Sequence, residues 1–228
     1  MTMKTDRRLP AQAATRRPAL SRPVIAEAAL AIVDREGLSK LSMRRLGVAL
    51  GVEAMAVYHH FAGKGEILDA VMERLLAEVE IDDALADPIE RLRACIRSYR
   101  QVAVRHPNAF ALLTNRRFNT PAAFGFYERV LQMLADAGFD ARESARLFRL
   151  IGYFASGAGL AEIASRAQQD DATPVRLERF TDRARFPRVG AAAPHLRVDR
   201  LDEVFDYGLD VIFAHLRAEA RRSAARRR

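Results

Sequence analysis

The chain has 228 residues, a length that suits one large domain or two small ones, and half of the residues are hydrophobic, which excludes a disordered protein. Ala, Leu, Arg and Glu are frequent and Trp is absent, a composition that favours helices. The single cysteine, Cys95, excludes an intramolecular disulfide and indicates a reducing compartment.

The net charge of +8 is distributed unevenly along the chain. Residues 1–64 hold 11 Lys and Arg against 5 Asp and Glu, and residues 65–215 hold 20 against 23. A basic N-terminal region followed by a slightly acidic remainder indicates that the N-terminal region binds a polyanion. No secretory signal is recognisable, and no window is predicted to be apolar enough to cross a bilayer, so a cytoplasmic protein is expected.

The first 68 residues predict a short helical domain behind a flexible basic arm at residues 1–20. One helix is predicted between Ser21 and Gly37, and a second begins at the cap Ser42 and stops at Gly51. "EAMAVYHHFAG" predicts a third, and a fourth runs from Lys64 to about residue 81. Two short helices joined through a glycine are typical of a helix-turn-helix.

The remaining sequence predicts helices at about 88–105, 108–116, 121–138, 143–168 and 198–218. Between the last two, residues 169–198 are expected to form a long loop with one short helix near 175–185. The "RRSAARRR" end is expected to fray. The predicted fold class is all-α.

The third helix carries adjacent histidines, His59 and His60, which raise three interpretations. Adjacent helical residues point about 100° apart, so the pair is a poor metal site. No nucleophile lies nearby for catalysis. A DNA interface fits better, because hydrogen-bond donors flank small or flexible side chains. The alternative is an ordinary exposed helix with aromatic residues on its surface. The predicted DNA-binding residues are Arg44, Ala54, Met55, Ala56, Tyr58, His59, His60 and Lys64.

The run "AALAIVDREGLSKLSMRRLGVALGVEAMAVYHHFAGKGEIL" resembles the DNA-binding domain of tetracycline-repressor (TetR) family regulators. The resemblance implies that Tyr58, His60 and Lys64 contact the DNA backbone and that residues 54–56 and 59 face the groove. The tetracycline repressor carries polar base readers where this chain has Ala54 and Ala56. We therefore expect readout to rely on Arg44, His59, thymine methyl groups and DNA shape.

The resemblance implies a helix-turn-helix domain at residues 21–68, a ligand-binding and dimerisation domain at 69–218 and a disordered Arg-rich tail at 219–228. It also implies that the 143–168 and 198–218 helices pair with their mates in a four-helix bundle. Small residues and an apolar stripe support this pairing. The predicted dimer residues are Gly152, Ser156, Gly159, Leu201, Phe205, Gly208 and Ile212.

Several aromatic residues of the second domain are expected either to line a ligand pocket or to form plain core. The resemblance places Cys95 and Tyr99 at pocket positions, and Leu113 where the tetracycline repressor has a magnesium-coordinating histidine. An apolar or aromatic small molecule is therefore expected, with no metal and no cofactor. The predicted pocket residues are Cys95, Tyr99, Phe110, Leu113, Phe124, Tyr127, Phe148 and Phe154.

These features predict a regulator that binds a palindromic double-stranded DNA operator as a homodimer and is released by a small apolar effector. The alternatives are a helical adaptor that binds a protein partner without specific DNA binding and, less favoured, a helical enzyme. Whether the basic arm enters a minor groove or only aids solubility stays open.

Overall fold

The computed structural model describes residues 19–116, 119–169, 185–195 and 200–226, and every regular element in them is helical. The all-α prediction is confirmed. The predicted basic arm lies almost wholly outside the described residues. So does nearly all of the short helix predicted near 175–185.

The N-terminal domain contains α1 (Arg22–Glu36), a 3-10 turn (Leu38–Lys40), α2 (Met43–Leu50) and α3 (Ala54–Tyr58), and α4 (Lys64–Ala77) follows. Gly37 and Gly51 end α1 and α2 with positive φ angles of 86° and 70°, as their predicted roles require. Ser42 caps α2, since its hydroxyl accepts a hydrogen bond from the Arg45 N–H at 3.1 Å. Ser21 holds the N-cap position of α1 without a side-chain bond.

The core of this domain agrees with the predicted apolar pattern, with one exception. Ile25, Leu46, Val57 and Phe61 are almost completely buried. Helical spacing in "LSMRRLGVALGV" predicts that Ala49 faces inward with Leu46. Ala49 is instead exposed, because the buried stripe of α2 is formed by Met43, Leu46 and Gly47.

The second domain contains α5 (Pro88–Arg105), α6 (Ala111–Asn115), α7 (Pro121–Asp136), α8 (Ala141–Gln169), α9 (Pro187–Ala192) and α10 (Leu201–Arg226). The prediction of a disordered tail is wrong for residues 219–226, because α10 continues through them. Helix-forming Ala and Arg residues and the Arg222–Glu219 ion pair support this extension.

A ladder of ion pairs joins α5 to α10. Arg93 pairs with Asp210, Arg97 with Asp206 at 2.8 Å, and Arg100 with Asp202. The partners run in opposite order along the two helices, so the helices are antiparallel. Arg217 extends the ladder to Asp87 and Glu90 at the start of α5. No local sequence pattern indicates these pairs, because their partners lie more than 100 residues apart.

Helix α8 leaves much of its apolar surface uncovered within one subunit. By length and composition alone, residues Ala141–Ala167 qualify as a membrane span, so the prediction that no window would qualify is wrong by that criterion. Only 22% of the apolar window is buried. The same composition suits a helix whose open face packs on a partner.

Candidate DNA-binding surface and effector domain

The turn between α2 and α3 depends on Gly47, which was not among the residues selected from the sequence. Gly47 is buried where the two helices approach most closely. A Cβ at this position would lie 2.8 Å from the Val52 carbonyl oxygen and 3.2 Å from the Ala54 nitrogen. Both neighbours are backbone atoms, so they cannot move aside as a flexible side chain could. Gly51 supplies the turn's left-handed residue, and Gly47 supplies its close packing.

We expect Gly47→Ala to lower the free energy of unfolding by about 1–3 kcal/mol and to weaken DNA binding, because the added methyl pushes α3 away from α2. Gly65→Ala is the matched control, since nothing lies within 4 Å of its Cβ position in α4. Urea denaturation of both variants checks the stability change. Equal midpoints for the two variants would contradict the packing role of Gly47.

The predicted DNA-binding residues of α2, α3 and the two histidines after α3 are all exposed or half-buried. Met55 is 64% exposed and Tyr58 46%, and Arg44 and His59 are also exposed. Ala54, Ala56 and His60 are half-buried beside them. The arrangement therefore presents a phenol, imidazoles, a guanidinium and methyl groups to solvent, which matches the chemistry of a major groove and its phosphate walls.

Lys64 lies at the start of α4, beside this surface, and is exposed. Its ammonium donates a hydrogen bond to the Leu38 carbonyl at 3.3 Å, which holds the long side chain in place. Val48, on α2 one turn after Arg44, is 68% exposed and extends the apolar part of the surface; sequence reasoning did not select it.

Of the two adjacent arginines in α2, only Arg44 is turned toward solvent. Arg45 forms two hydrogen bonds with the Glu36 carboxylate at the end of α1, one of them from Nε at 3.0 Å. Hydrogen bonds from Arg45 and Arg35 lower the pKa of Glu36 to about 2. Since this pKa is lowered, the pair contributes stability at neutral pH, and that contribution is lost as the pH falls toward 2.

A second contact fixes α1 against the corner between α3 and α4. The Arg22 guanidinium lies over the Phe61 ring, 4.0 Å from its centroid, and donates a hydrogen bond to the His60 carbonyl. Glu66 accepts from the same guanidinium at 3.5 Å. The helix that presents Tyr58 and His59 is therefore supported from behind at its C-terminal end.

The predicted effector residues form three separate aromatic contacts. Tyr99 packs edge-on against the fully buried Phe110, with ring centroids 5.4 Å apart. Tyr127 lies between Phe124 and Phe148, at 6.5 and 4.7 Å. Phe154 instead stacks on Phe205 of α10 at 5.4 Å, so it joins the helices within the subunit. The sequence grouped these rings together, and the structure divides them among α5–α6, α7–α8 and α8–α10.

Two hydroxyl groups and one thiol belong to the predicted pocket or lie beside it. The Tyr99 and Ser156 hydroxyls lie 3.3 Å apart, and burial raises the pKa of Tyr99 to about 12. Burial also raises the pKa of Cys95 to about 12, so its thiol stays protonated at neutral pH. Leu113 is buried. The described residues hold no group of three or more His, Cys, Asp or Glu suited to a metal ion.

Four of the predicted dimer residues pack inside the subunit. A Cβ on Gly159 would lie 2.7 Å from the Phe110 ring, and one on Gly208 would lie 2.5 Å from Phe154. Phe205 is buried, and Ser156 faces Tyr99. These small residues serve contacts between helices of one chain. Sequence spacing showed where helices approach closely but could not show which helices meet.

Of the other predicted dimer residues, Gly152 is exposed and would meet nothing within 4 Å if it carried a Cβ. Leu201 and Ile212 are half-buried. A different set of side chains forms an exposed apolar surface on α8 and α10, which we call the α8–α10 face. Its members are Leu150, Tyr153 and Leu160 on α8 and Val204, Tyr207 and Val211 on α10.

The α8–α10 face has the spacing of helical stripes. Tyr153 and Tyr207 are its most exposed members, at 70% and 71%. Leu150 and Tyr153 of α8 also line a groove of about 580 Å³, together with His215 and Glu219 of α10. Exposed apolar residues at this spacing indicate an interaction site.

The N-terminal domain has two short helices joined by a turn at a glycine, a supporting helix and exposed hydrogen-bond donors. Joined to a larger helical domain, this arrangement defines a helix-turn-helix DNA-binding regulator. Residues 25–71 match the family model described as "Bacterial regulatory proteins, tetR family". Residues 85–220, more than half of the chain, match "Tetracyclin repressor-like, C-terminal domain". The chain belongs to the TetR family.

Individual relatives agree with this assignment. The transcriptional repressor DrrR1 of Streptomyces coeruleorubidus is 32% identical over 149 residues, which cover 64% of this chain and about half (55%) of DrrR1. A helix-turn-helix-type transcriptional regulator of Saccharopolyspora erythraea is 29% identical over 213 residues, covering 90% of this chain and 87% of that protein.

Solved structures show the same architecture. Apo ActR from Streptomyces coelicolor has a TM-score of 0.71 at 28% identity, covering 89% of this chain and 99% of that one. The complex of ActR with actinorhodin has a TM-score of 0.74 at 26% identity, covering 88% and 97%. The likeness includes both domains, so the predicted two-part architecture is confirmed.

Proposed function

We propose that this regulator is a homodimeric repressor that binds a palindromic operator and releases it when a small aromatic or apolar effector binds. The observation that carries the proposal is the pairing of two surfaces in one chain. One presents DNA-binding donors, and the other is an uncovered apolar face that suits a second copy. A two-fold dimer would present two recognition helices to two half-sites about one DNA turn apart.

The dimer part of the proposal rests on the α8–α10 face. Its two tyrosines are large, rigid and amphipathic, the residue type that is enriched at interface centres. The partner we infer is a second copy of the same face, because isologous pairing covers the stripe of α8 and that of α10 at once.

The DNA part rests on the separation of roles between Arg44 and Arg45. Arg45 is held by Glu36, whereas Arg44 is free to enter the groove from the start of α2. Tyr58, His60 and Lys64 are proposed to hold phosphates and His59 to approach bases. Met55 and the methyl groups of Ala54 and Ala56 offer contacts to thymine methyl groups.

We expect Arg44→Ala to relax base preference at one position of each half-site, at a cost of about 1–3 kcal/mol for the preferred base. Arg45→Ala is the matched control, because it breaks the contact with Glu36 and lowers stability without removing a base contact. Selection from random duplexes, followed by sequencing, measures the preference. An unchanged base preference for Arg44→Ala would rule out this role.

The effector part rests on the interior of the second domain. The Tyr99–Phe110 and Tyr127–Phe148 contacts provide ring edges, and the Tyr99 and Ser156 hydroxyls provide the nearby polar groups. These groups suit an aromatic compound with a polar substituent, and ActR, a TetR family protein, has been solved in complex with actinorhodin. A buried Leu113 does not suit a magnesium–tetracycline complex.

A physical route from effector to DNA runs through α4. Arg116, just after α6, donates to Asp69 Oδ1 from Nε at 2.9 Å and to the Gly65 carbonyl at 3.2 Å. Both acceptors lie in α4, whose first residue is Lys64. A shift of α6 would therefore move the start of α4 and the spacing of the paired DNA-binding domains.

The proposal is tested with a duplex selected by the protein from a random library, followed by fluorescence anisotropy. We expect two half-sites related by a dyad, binding that weakens steeply with salt, and release by actinorhodin rather than by tetracycline with magnesium. Release by tetracycline alone would replace the proposed effector class. Failure to select any duplex would favour the alternative of a helical adaptor.

The predictions of a cytoplasmic location and of no catalytic activity are retained as part of this proposal. A regulator that binds chromosomal DNA works in the cytoplasm of a bacterium. The groups assigned above hold DNA and effector and include no nucleophile with an adjacent base.

A further inference from the structure

A cluster of charged side chains joins the DNA-binding domain to the effector domain at the corner between α5 and α6. His106 follows α5, and its side chain is only 15% exposed. Its Nδ1 lies 2.7 Å from Asp34 Oδ2 on α1, and its Nε2 lies 2.9 Å from Glu78 Oε2, one residue beyond α4. One imidazole ring therefore links three helices.

Neighbouring groups reinforce both ends of this bridge. The Asn108 amide donates to the Asp34 carbonyl at 2.8 Å. Arg105 donates to Glu78 Oε2 at 3.1 Å. The charged groups that face the imidazole are thus Asp34 from α1, Glu78 from α4 and Arg105 from α5.

The chemistry of the bridge requires a particular form of the ring. A carboxylate oxygen accepts hydrogen bonds and cannot donate them. Both short contacts are therefore hydrogen bonds at the same time only when both ring nitrogens carry protons, that is, in the imidazolium form. The other oxygen of Asp34, Oδ1, is buried without a hydrogen-bond partner. The hydrogen bond from His106 to Oδ2 therefore offsets the desolvation of this carboxylate.

The same residue is tied to the effector domain through its backbone. The His106 carbonyl accepts from the Phe110 N–H at 2.8 Å and from the Ala109 N–H at 3.0 Å. Phe110 is fully buried against Tyr99 and against the α8 surface at Gly159. A shift of Phe110 is therefore passed to His106 through the first turn after α5.

We propose that His106 is a positioning residue for DNA binding: its imidazolium joins Asp34 of α1 to Glu78 and so sets the orientation of the DNA-binding domain. The inference rests on the proposed function, because it names the contact through which the effector domain holds the operator-binding arrangement. Loss of the bridge lowers the fraction of dimers that have the correct spacing and weakens operator binding accordingly.

The test compares operator affinities of the wild-type protein, His106→Gln and the control His195→Gln, whose histidine is exposed on the 3-10 turn after α9. We expect His106→Gln to bind the operator at least about fivefold more weakly than the wild type, because the bridge between Asp34 and Glu78 is lost.

The control variant separates loss of the bridge from a general effect of removing a histidine. His195→Gln is expected to bind the operator as the wild type does. An affinity ratio of one between the wild type and His106→Gln overturns the proposal.

A second measurement does not depend on DNA. In ¹⁵N-labelled full-length protein, the ring signals that disappear in His106→Gln belong to His106. Because each ring nitrogen lies beside a carboxylate oxygen, we expect both nitrogens to carry protons. A single protonated nitrogen would overturn the bridge even if the operator is bound as proposed. Two protonated nitrogens in a protein that selects no duplex would instead count against the proposed function alone.

Discussion

The double variant Tyr153→Asp/Tyr207→Asp is expected to be a folded monomer that binds the operator about 100-fold more weakly than the wild type. Both side chains are about 70% exposed in one subunit, so replacing them leaves the core intact. A carboxylate buried at an apolar interface loses its hydration without gaining a partner. Each monomer would then reach only one half-site.

Light scattering coupled to size exclusion measures the mass of this variant, and circular dichroism checks that its helix content is kept. Phe124→Asp is the matched control for mass, because Phe124 is a large apolar residue, 56% exposed, that lies on α7 away from the α8–α10 face. The control should stay dimeric. A dimeric double variant with unchanged operator affinity would show that the copies pair elsewhere, or that they do not need to pair.

The second large effect is expected at the ion pair between Arg100 of α5 and Glu162 of α8. Nε of Arg100 lies 2.7 Å from Glu162 Oε2, and the two side chains are 7% and 3% exposed. Replacing Glu162 by Met removes the buried countercharge of the Arg100 guanidinium and leaves it only Asp202, whose side chain is 77% exposed. We expect Glu162→Met to lower the free energy of unfolding by about 3–5 kcal/mol.

The control for this prediction is the double variant Arg100→Met/Glu162→Met. It removes both charges and fills their space with apolar side chains, so its stability should approach that of the wild type. Urea denaturation at one fixed protomer concentration measures all three proteins and the coupling between the two sites. A loss below about 1 kcal/mol for Glu162→Met would mean that water or Asp202 compensates Arg100 adequately.

Arg100 contacts α10 in addition to its ion pair with Glu162 of α8. Its guanidinium lies 4.8 Å from the Phe205 ring centroid and pairs with Asp202, so it touches both α8 and α10. The ladder from Arg93 to Arg100 then continues the contact along α10. Ion pairs thus join α10, which carries three residues of the α8–α10 face, to α5, which carries Tyr99. A movement of α5 would therefore be passed to the α8–α10 face as well as to the corner at His106.

The sequence by itself determined the helices other than α9, their order and the segment that carries the proposed DNA-binding residues, because these features depend on residues close together in the chain. Gly37, Ser42 and Gly51 act within one turn, and Tyr58 to Lys64 lie on one short segment. Local patterns also specified that Ile25, Val57 and Phe61 are core. These positions are governed by helical periodicity and capping, which an amino-acid sequence records directly.

Only the tertiary structure decided which small and aromatic residues meet one another. The spacing of Gly159 and Gly208 is compatible with packing against a partner subunit and equally with packing against Phe110 and Phe154 of the same chain. An aromatic ring is apolar in both cases, so composition does not distinguish them. The contacts of Arg45 with Glu36, of Arg100 with Glu162 and of His106 with Asp34 were likewise undetermined. Each joins two helices whose relative placement depends on the packing of the whole core, and no local pattern encodes that placement.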